Sequence, residues 1–355
     1  MQENKLANLR EMLLQSPTSN LWWECIQLVE SAEDKGEKEL LRSYLSDHAS
    51  RDESWSLCRV PCGDWETEHP GWQLCEVTQK KVKSLPKTYE VHCPPGRYMR
   101  GCSPGDEEAY DDEKPRHEVI LSRGFWAFAT PITQAAFAAV DELRTFAFRG
   151  KQRPVETINW FEAMHFCNQL SEKLDLEPVY SFSEGYEKWI EDQTGTTPEV
   201  SWNPEANGYR LPTEAEWEYM CRAGSIDAMY GPLDEIAWYD ENSRKTHKVA
   251  EKMPNAWGFF DTLGNVWEWC FDTMNAYAYK KPLVVDPLNL LPPSWEEAEE
   301  FEDPEDFEDG DSSQKLARGG CWAYSSGGTR ASFRVSRESW YRSNYIGFRP
   351  VRTQF

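Results

Sequence analysis

The chain has 355 residues, which is long enough for one large domain or two smaller ones. Aromatic residues make up 14% of it, so a disordered chain is excluded and rings are expected to fill the space between loops. The formal net charge of −23 argues against nucleic acid and anionic membranes as partners, because phosphate binding needs clustered Lys and Arg.

The first 50 residues carry leucines at helical spacing, including Leu6, Leu9 and Leu13, which predicts a small helical N-terminal module. This module is either a docking piece or an extension packed on the main domain. Residues 51–87 contain tryptophans separated by prolines and are interpreted as a connecting segment. The chain shows no export signal and no apolar run of about 18 residues, which predicts a cytoplasmic location, reduced cysteines and no membrane span.

Residues 88–355 have the pattern of an irregular α+β domain. Apolar stretches predict strands at residues 117–121 and 124–128. A clearer helix is predicted from Trp160 to Leu174, because its apolar residues recur every three or four positions and form one core stripe.

Thr213 and Glu216 mark the start of a second helix. Their spacing is that of a capping box, in which each side chain accepts a hydrogen bond from the backbone amide of the other residue. Gly224 predicts the end of this helix. The glutamates of this segment are therefore interpreted as structural first and catalytic second.

Residues 292–315 are predicted to form an acidic insertion. Eleven acidic residues lie between residues 296 and 311, and their mutual repulsion predicts a solvated loop. The alternative is an interaction role, in which the loop recruits a basic partner and the protein is a scaffold subunit.

A series of short strings follows one order along the main domain. They occupy residues 114–119, 154–160, 207–219, 221–224, 254–258, 264–269, 318–322 and 346–349. Together they resemble the formylglycine-generating enzyme, or sulfatase-modifying factor, family. The resemblance implies a C-type-lectin-like fold with little regular secondary structure. It is weaker evidence for an activity, because one fold hosts many functions.

The enzymes of this family carry two cysteines after a glycine-rich turn, which bind copper and activate oxygen to oxidise a substrate cysteine. Here Tyr324 and Thr329 fall near those two positions, and neither is the thiolate that Cu(I) requires. Cys321 lies in the turn itself and is interpreted as buried and inert, with a reactive thiol as the alternative. The sequence therefore predicts no copper.

A sister branch, the ergothioneine-type sulfoxide synthases, takes iron-binding histidines from an added helical domain. The corresponding part of this chain holds His48, His69 and His92, and no two of them have the spacing of a helical pair. An iron site is therefore not expected.

A third branch, the variable proteins of diversity-generating retroelements, is non-enzymatic and displays changeable residues on the same scaffold. The segment from Arg318 to Arg349 is similar to it in layout. Tyr, Trp, Ser and Asn are typical of adaptable binding surfaces, although ordinary ring packing is the alternative. The predicted ligand-binding residues are Trp322, Tyr324, Ser325, Ser326, Arg330, Trp340, Tyr341, Asn344 and Tyr345.

Family members also hold a calcium ion at the segment that corresponds to residues 264–269. The resemblance implies as ligands the side chains of Asp261 and Glu268 and the carbonyls of Gly264 and Val266. Hard oxygen ligands suit Ca²⁺. The alternative is a metal-free turn in which Glu268 pairs with an arginine. Arg334 and Arg349 have the planar fork for pairs with Glu218 or Glu268.

These observations favour a non-catalytic sensor or adaptor that binds a ligand or a protein partner on a lectin-type scaffold, in a bacterial cell. The alternative is a metal-dependent oxidase or oxygenase of the same family with a divergent active site. Nucleic acid, membrane, copper and iron are not expected, and the sequence indicates no oligomeric state.

Overall fold

A computed structural model of the chain describes residues 56–58, 77–82, 84–141, 145–192, 197–275, 278–279, 283–290 and 313–354. The predicted helical module at residues 1–50 and most of the predicted acidic insertion lie outside the described residues. Both interpretations therefore stay predictions.

The described residues form short strands and short helices joined by long loops. The strands are β1 Ser56–Cys58, β2 Val77–Lys81, β3 Tyr89–Cys93, β4 Gly96–Arg100, β5 His117–Leu121, β6 Phe125–Phe128, β7 Tyr180–Phe182, β8 Val200–Trp202, β9 Trp267–Thr273, β10 Leu283–Val285, β11 Gln314–Arg318, β12 Arg334–Glu338, β13 Ile346–Gly347 and β14 Val351–Thr353. The α-helices are α1 Gln134–Phe137, α2 Trp160–Lys173, α3 Tyr186–Asp192, α4 Glu214–Arg222 and α5 Leu233–Ile236. The predicted α+β class is confirmed, as are the two predicted strands that became β5 and β6.

The strands of the described residues are arranged in four sheets. Their orders are β1-β2-β3-β6-β14, β10-β5-β4, β12-β11-β9-β13 and β7-β8. In the third sheet β11 runs antiparallel to both β9 and β12, whereas β13 pairs parallel with β9. This sheet brings the strings at residues 264–269, 318–322 and 346–349 side by side, although they lie far apart in the sequence.

The first sheet extends into the segment that was expected to be a connector. Strand β1 pairs antiparallel with β2, and β2 pairs with β3, so residues 56–58 and 77–81 belong to the sheet. At the other boundary, β11 begins at Gln314 because its backbone pairs with β9 and β12. The last two residues of the predicted insertion are therefore part of a strand.

Helix α2 carries the predicted core stripe. Asn159 and Glu162 accept hydrogen bonds from each other's backbone amides at 2.9 and 2.8 Å, which starts the helix. Ala163, Cys167 and Leu170 are fully buried along one face. The stripe is confirmed, and the helix ends at Lys173, one residue before the predicted end.

Helix α4 begins with the predicted capping box. The Thr213 hydroxyl accepts from the Glu216 amide at 3.1 Å, and the Glu216 carboxylate accepts from the Thr213 amide at 2.9 Å. Arg210 also donates two hydrogen bonds to Glu216, at 2.6 and 2.7 Å. The helix ends at Arg222, and Gly224 follows with a φ of +90°.

Aromatic rings fill much of the core, as the composition predicts. Phe271 stacks between Trp160 and Tyr180, with ring centroids 5.4 and 5.3 Å away. Trp217 and Trp269 are completely buried. Among the helices that the structure describes, none is both long enough and apolar enough to span a bilayer.

Candidate ligand-binding site

The turn after β11 places Cys321 inside the protein. Gly319 and Gly320 have φ angles of +97° and +79°, which residues with side chains rarely adopt. A Cβ on Gly319 would also meet the ring of Trp217 at 2.9 Å. The turn therefore needs glycine at both positions before the chain reaches Cys321.

The thiol of Cys321 is buried, and this burial raises its pKa to about 12. The reactive form of a cysteine is the thiolate, which this environment disfavours at neutral pH. The geometry therefore favours the interpretation of Cys321 as an inert core residue.

Tyr324 and Thr329, near the family's cysteine positions, make other contacts. Thr329 is buried, and its hydroxyl donates to the backbone oxygen of Ser325 at 3.0 Å. The Tyr324 ring packs edge-on against Trp267 at 5.1 Å, and its hydroxyl accepts from Arg337 at 3.0 Å. Two engaged hydroxyls beside a protonated thiol do not fit a Cu(I) ion.

A half-exposed surface lies where Tyr324 meets the segment after β12. The hydroxyls of Tyr341 and Tyr345 are hydrogen-bonded to each other, and the Tyr345 ring lies 6.4 Å from that of Tyr324. The Arg337 guanidinium lies 5.7 Å from the centre of the Tyr341 ring, and Trp340 is 44% exposed. We call Tyr324, Arg337, Trp340, Tyr341 and Tyr345 the tyrosine face.

Trp322, Ser325 and Ser326 lie on the turn that also carries Tyr324, and Asn344 lies between Tyr341 and Tyr345. The Trp322 indole donates to the backbone oxygen of Asn344 at 3.0 Å and packs edge-on against Phe148 at 5.5 Å. Ser325 is exposed and Ser326 is partly exposed. The indole of Trp322 thus connects the turn with the segment that contains Tyr341 and Tyr345.

Arg330 lies apart from the exposed part of this surface. Its guanidinium donates to Glu113 twice at 2.8 Å and to Asp106 at 2.7 Å, and the side chain is buried. The cation is already paired inside the protein, so this geometry gives no support to a role for Arg330 in ligand binding. Arg330 instead holds the loop at residues 106–113 against the end of the turn.

Glu268, one of the predicted calcium ligands, is held by other partners. Its carboxylate accepts from Arg349 at 2.9 and 2.7 Å and from the Trp217 indole at 2.8 Å. The predicted pair between Arg349 and Glu268 is confirmed. Because Arg349 already neutralises Glu268, the residues as they stand do not fit a calcium ion, and the metal-free alternative is favoured.

Asp261, the other predicted carboxylate ligand, organises a loop. Its two oxygens accept from the Ala250 amide at 2.8 Å and from the Asn265 side chain at 3.2 Å. Burial raises the pKa of Asp261 to about 6. Gly264 has a φ of +78°, and a Cβ there would meet the Trp238 backbone. Within the part of the chain that the structure describes, no three His, Cys, Asp or Glu side chains group as a metal site would require.

Helix α4 and the sheet around β11 enclose a group of charges that the sequence did not reveal as one unit. Arg318 pairs with Glu218 and lies 3.4 Å from Glu214. Arg334 donates to Glu214 at 2.6 and 3.0 Å, a carboxylate that was not named among its expected partners. Arg100 also pairs with Glu214. These five fully buried residues are called the buried ionic network below.

Opposite charges decide the ionisation of this network. Burial alone would raise the pKa of Glu214, but Arg100, Arg334 and Arg318 together hold it well below the usual range. The pKa of Glu218 is likewise lowered, chiefly by Arg222 and Arg318 against the effect of burial. Both glutamates are therefore anionic anchors for arginines rather than proton donors.

Arg337 belongs to the tyrosine face but was not among the residues predicted from the sequence. A signal was present, because Arg337 follows Arg334 by three residues in β12 and therefore points to the opposite side of the sheet. Arg334 is buried, whereas Arg337 is partly exposed.

Comparison with known proteins agrees with this architecture. A family model described as a sulfatase-modifying factor enzyme 1-like domain matches residues 75–354. The chain belongs to this family. The formylglycine-generating enzyme of Streptomyces coelicolor is 29% identical over 240 residues, which cover 56% of this chain and 73% of that protein.

Other relatives carry names that do not describe an oxidase. The chaperone protein LppX of Paenibacillus barcinonensis is 32% identical over 193 residues, and the match spans 47% of this chain and 66% of that protein, just under two thirds. Among solved structures, Treponema denticola variable protein 1 superposes with a TM-score of 0.62 at 28% identity, covering 78% of this chain and 99% of that one. PvdO from Pseudomonas aeruginosa, at 19% identity and a TM-score of 0.54, supports the fold alone.

Proposed function

We propose that this protein is a non-catalytic member of the family and binds a protein partner through the tyrosine face. One observation carries the proposal. Tyr324 stands near a position where the enzymes of the family are expected to hold a copper-binding cysteine, and its hydroxyl accepts from Arg337. A position that would serve oxygen chemistry in an enzyme contributes here to a half-exposed aromatic surface.

The chemistry of the tyrosine face suits protein binding. Tyrosine and tryptophan supply a large contact area and lose little conformational entropy, and both are enriched with arginine among the residues that dominate binding energy. In the described residues no carboxylate pairs with Arg337, whose hydrogen bonds go to Tyr324 and the Ser336 carbonyl. Its charge can therefore meet a carboxylate on the partner, which makes an acidic and aromatic or apolar protein segment the best fit.

The relatives support a binding role without deciding it. LppX is named a chaperone protein, and the Treponema relative is named a variable protein. Binding by the same scaffold is therefore compatible with both names. A cytoplasmic location in a bacterial cell is part of the same proposal.

The proposal is tested by replacing Trp340, Tyr341 and Tyr345 together with alanine. Partners are first captured by crosslinking in the native cell, identified by mass spectrometry, and then titrated as purified proteins. The triple variant should lose at least about tenfold in affinity for the partner, because about 1.4 kcal/mol of lost contact energy suffices for this effect. Folding is checked by circular dichroism.

A matched control replaces Tyr110 and Leu283, which are 61% and 51% exposed and lie outside the tyrosine face. This double variant should bind the partner as the unmodified protein does. Equal affinity of the folded triple variant and the unmodified protein would count against the proposal.

The enzymatic alternative is tested separately. The protein is loaded with Cu(I), and oxygen consumption is recorded with a cysteine-containing peptide. We expect no consumption above a blank that contains copper and peptide alone, because Tyr324 and Thr329 cannot supply thiolates. Catalytic turnover in this assay would reinstate the oxidase and overturn the proposal.

A further inference from the structure

Two loops carry an unusual concentration of positive charge for this chain. Residues 145–153 and 243–252 together hold seven lysines and arginines and a single acidic residue, Glu251, whereas the whole chain has a net charge of −23. Excess positive charge on so acidic a protein is therefore confined to particular places, and these loops are one of them.

The two loops contact each other, although they lie far apart in the sequence. The Val249 amide donates to the Gln152 carbonyl at 2.9 Å, and the Arg153 guanidinium donates to the Thr246 hydroxyl at 3.5 Å. The cations on either side of these contacts are thereby brought together. We call them the basic ridge, which consists of Arg149, Lys151, Arg153, Lys245 and Lys248.

Most of the charge of the basic ridge is uncompensated. The Lys248 ammonium lies 3.7 Å from the Glu251 carboxylate. Among the described residues, no carboxylate pairs with any of the other four members. Cations that crowd together without counter-charges repel one another, so the basic ridge gains from a negatively charged ligand.

Three other carboxylates close to these loops do not pair with the basic ridge. Glu156 is completely buried and accepts from the Phe148 amide at 2.8 Å. Glu241 accepts from the Tyr239 hydroxyl at 3.3 Å, and the Oδ1 atom of Asp240 is buried. The positive charge of the ridge is therefore left for a partner.

Both loops are fixed in place. The Gly150 amide donates to the Gln134 side chain at 2.9 Å, which holds the first loop. In the second loop the His247 amide donates to the Asn265 side chain at 3.0 Å, and the His247 ring stacks on Trp238 with centroids 3.7 Å apart. A ligand therefore meets cations on a preformed backbone and does not have to order the loops first.

The surroundings of the basic ridge favour a short acidic peptide over a nucleic acid. Phe148 packs edge-on against Trp322 at 5.5 Å, and the Asp240 amide donates to the Tyr324 carbonyl at 3.0 Å, so the loops flank the turn that carries Tyr324. A nucleic acid would extend past the ridge over a chain of net charge −23, and this repulsion acts over about 8 Å at physiological salt. A short peptide can end within the ridge.

We propose that the basic ridge binds a short segment of a protein partner that is rich in aspartate or glutamate. The carboxylates of this segment pair with the exposed lysines and arginines of the ridge. The ridge is separate from the tyrosine face, and the proposal does not depend on that face binding a partner. A partner that used both surfaces would be held at two points.

The test is titration of the full chain with a fluorescently labelled oligoglutamate of about ten residues, which extends to about 35 Å. Its anisotropy at about 20 mM salt should give a Kd of about 1 mM or below, and about 200 mM salt should raise the Kd at least about tenfold, because exposed charge pairs are screened. Oligoglutamine of the same length should not bind. Tighter binding of an oligothymidylate of the same length, or no binding of oligoglutamate, would overturn the proposal.

Charge reversal assigns the binding to the ridge. Lys151→Glu combined with Lys248→Glu should raise the Kd of oligoglutamate at least about tenfold, and the fold should persist because both lysines are exposed. The matched control combines Lys81→Glu with Lys188→Glu, at exposed positions outside both loops. It changes the net charge equally and should alter the Kd by less than about twofold. Equal weakening by the two double variants would refute the assignment.

Two further measurements separate the basic ridge from the tyrosine face. The triple alanine variant of the tyrosine face should bind oligoglutamate as the unmodified protein does. The pKa of His247 is lowered by burial, while Glu251 raises it and the charge of Arg153 lowers it further. Bound carboxylates offset the charge of the ridge, so the pKa of His247, followed by NMR, should rise at saturation. Loss of binding in the triple variant, or an unchanged pKa of His247, would contradict binding at the ridge.

Discussion

The buried ionic network and the tyrosine face draw on the same stretch of chain but are held together by different forces. In the network, Arg318 and Arg334 are buried and paired with glutamates of α4. In the tyrosine face, Tyr341 and Tyr345 are partly exposed and joined through their hydroxyls. The strings that resemble the family lie mainly in the buried region, whereas the residues between them form the face. The scaffold and the surface it displays can therefore change independently.

The register of one strand pair explains why the network needs its glutamates. Arg318 and Arg334 are directly opposite each other in the antiparallel pair of β11 and β12. Like charges at opposed positions destabilise a sheet unless they are compensated. Glu214 and Glu218, one turn apart on α4, supply the two negative charges that this arrangement requires.

The largest expected effect comes from breaking the network. Arg318→Met should lower the free energy of unfolding by about 3–5 kcal/mol, because it removes a buried cation that neutralises both Glu218 and Glu214 and leaves Glu218 with Arg222 alone. It also removes the donor from the backbone oxygens of Ala331, Ser332 and Phe333. Urea unfolding followed by tryptophan fluorescence measures the loss.

The matched control for Arg318→Met is Arg337→Met on the tyrosine face. Arg337 is partly exposed and makes no carboxylate pair among the described residues, so its loss should cost less than about 1 kcal/mol. Similar losses for the two variants would show that the scaffold and the face are not energetically distinct.

A smaller loss of stability is expected at Glu268, which pairs with Arg349 at the position where the family resemblance implied a calcium ligand. Glu268→Gln weakens the pair with Arg349, and the free energy of unfolding should fall by about 3 kcal/mol. Thermal melts with calcium chloride and with a chelator should coincide in the unmodified protein. A bound calcium ion would instead add about 2.7 kcal/mol at one hundred times its Kd, so a clear calcium-dependent shift would contradict the metal-free interpretation.

The local parts of the fold could be predicted from the sequence, because their causes lie within a few residues. The capping box at Thr213 and Glu216 and the stripe of α2 depend on spacing alone. The boundary at Gln314 could not be predicted, since it depends on pairing with β9 and β12. The acidic composition ends before that strand begins and does not show where it starts.

The site shows the same division between local and distant causes. The pair of Arg349 with Glu268 was among the expected pairs, but Arg334 meets Glu214 rather than Glu218. Both glutamates lie on one face of α4, so the choice between them depends on the register of a distant strand pair. Arg330 was grouped with the ligand-binding residues for a similar reason, because its partners lie more than 200 residues away in the sequence.

Lowering the pH should have opposite effects on the buried carboxylates that pair with arginine and on those that do not. The lowered pKa of Glu214 means that its stabilisation is present above about pH 4.5 and is lost as the pH falls below it. Burial raises the pKa of Asp261 and Asp272 to about 6, so these two residues cost stability as the pH rises from about 4 to 6. The free energy of unfolding should therefore rise as the pH falls from about 6 and pass through a maximum near about pH 4 to 4.5.

This pH profile is measured by urea unfolding at fixed ionic strength. The rise from pH 7 to the maximum should be on the order of 2 kcal/mol. Glu205→Gln, which alters only an exposed pair with Arg123, should reproduce the unmodified profile. If the free energy of unfolding instead decreased steadily as the pH was lowered from 7, the pKa values of Asp261 and Asp272 would not be raised.

The smallest expected effect lies on the tyrosine face itself. Tyr341→Phe removes only the hydroxyl that is bonded to Tyr345, and a hydrogen bond at a partly exposed position contributes about 0.5–1.5 kcal/mol. The free energy of unfolding should therefore fall by less than about 1 kcal/mol. Partner affinity should fall further than stability does, because the hydroxyl fixes the ring that the partner contacts. If Tyr341→Phe lowered the free energy of unfolding as much as Arg318→Met does, the tyrosine face would have to be counted as part of the structural scaffold.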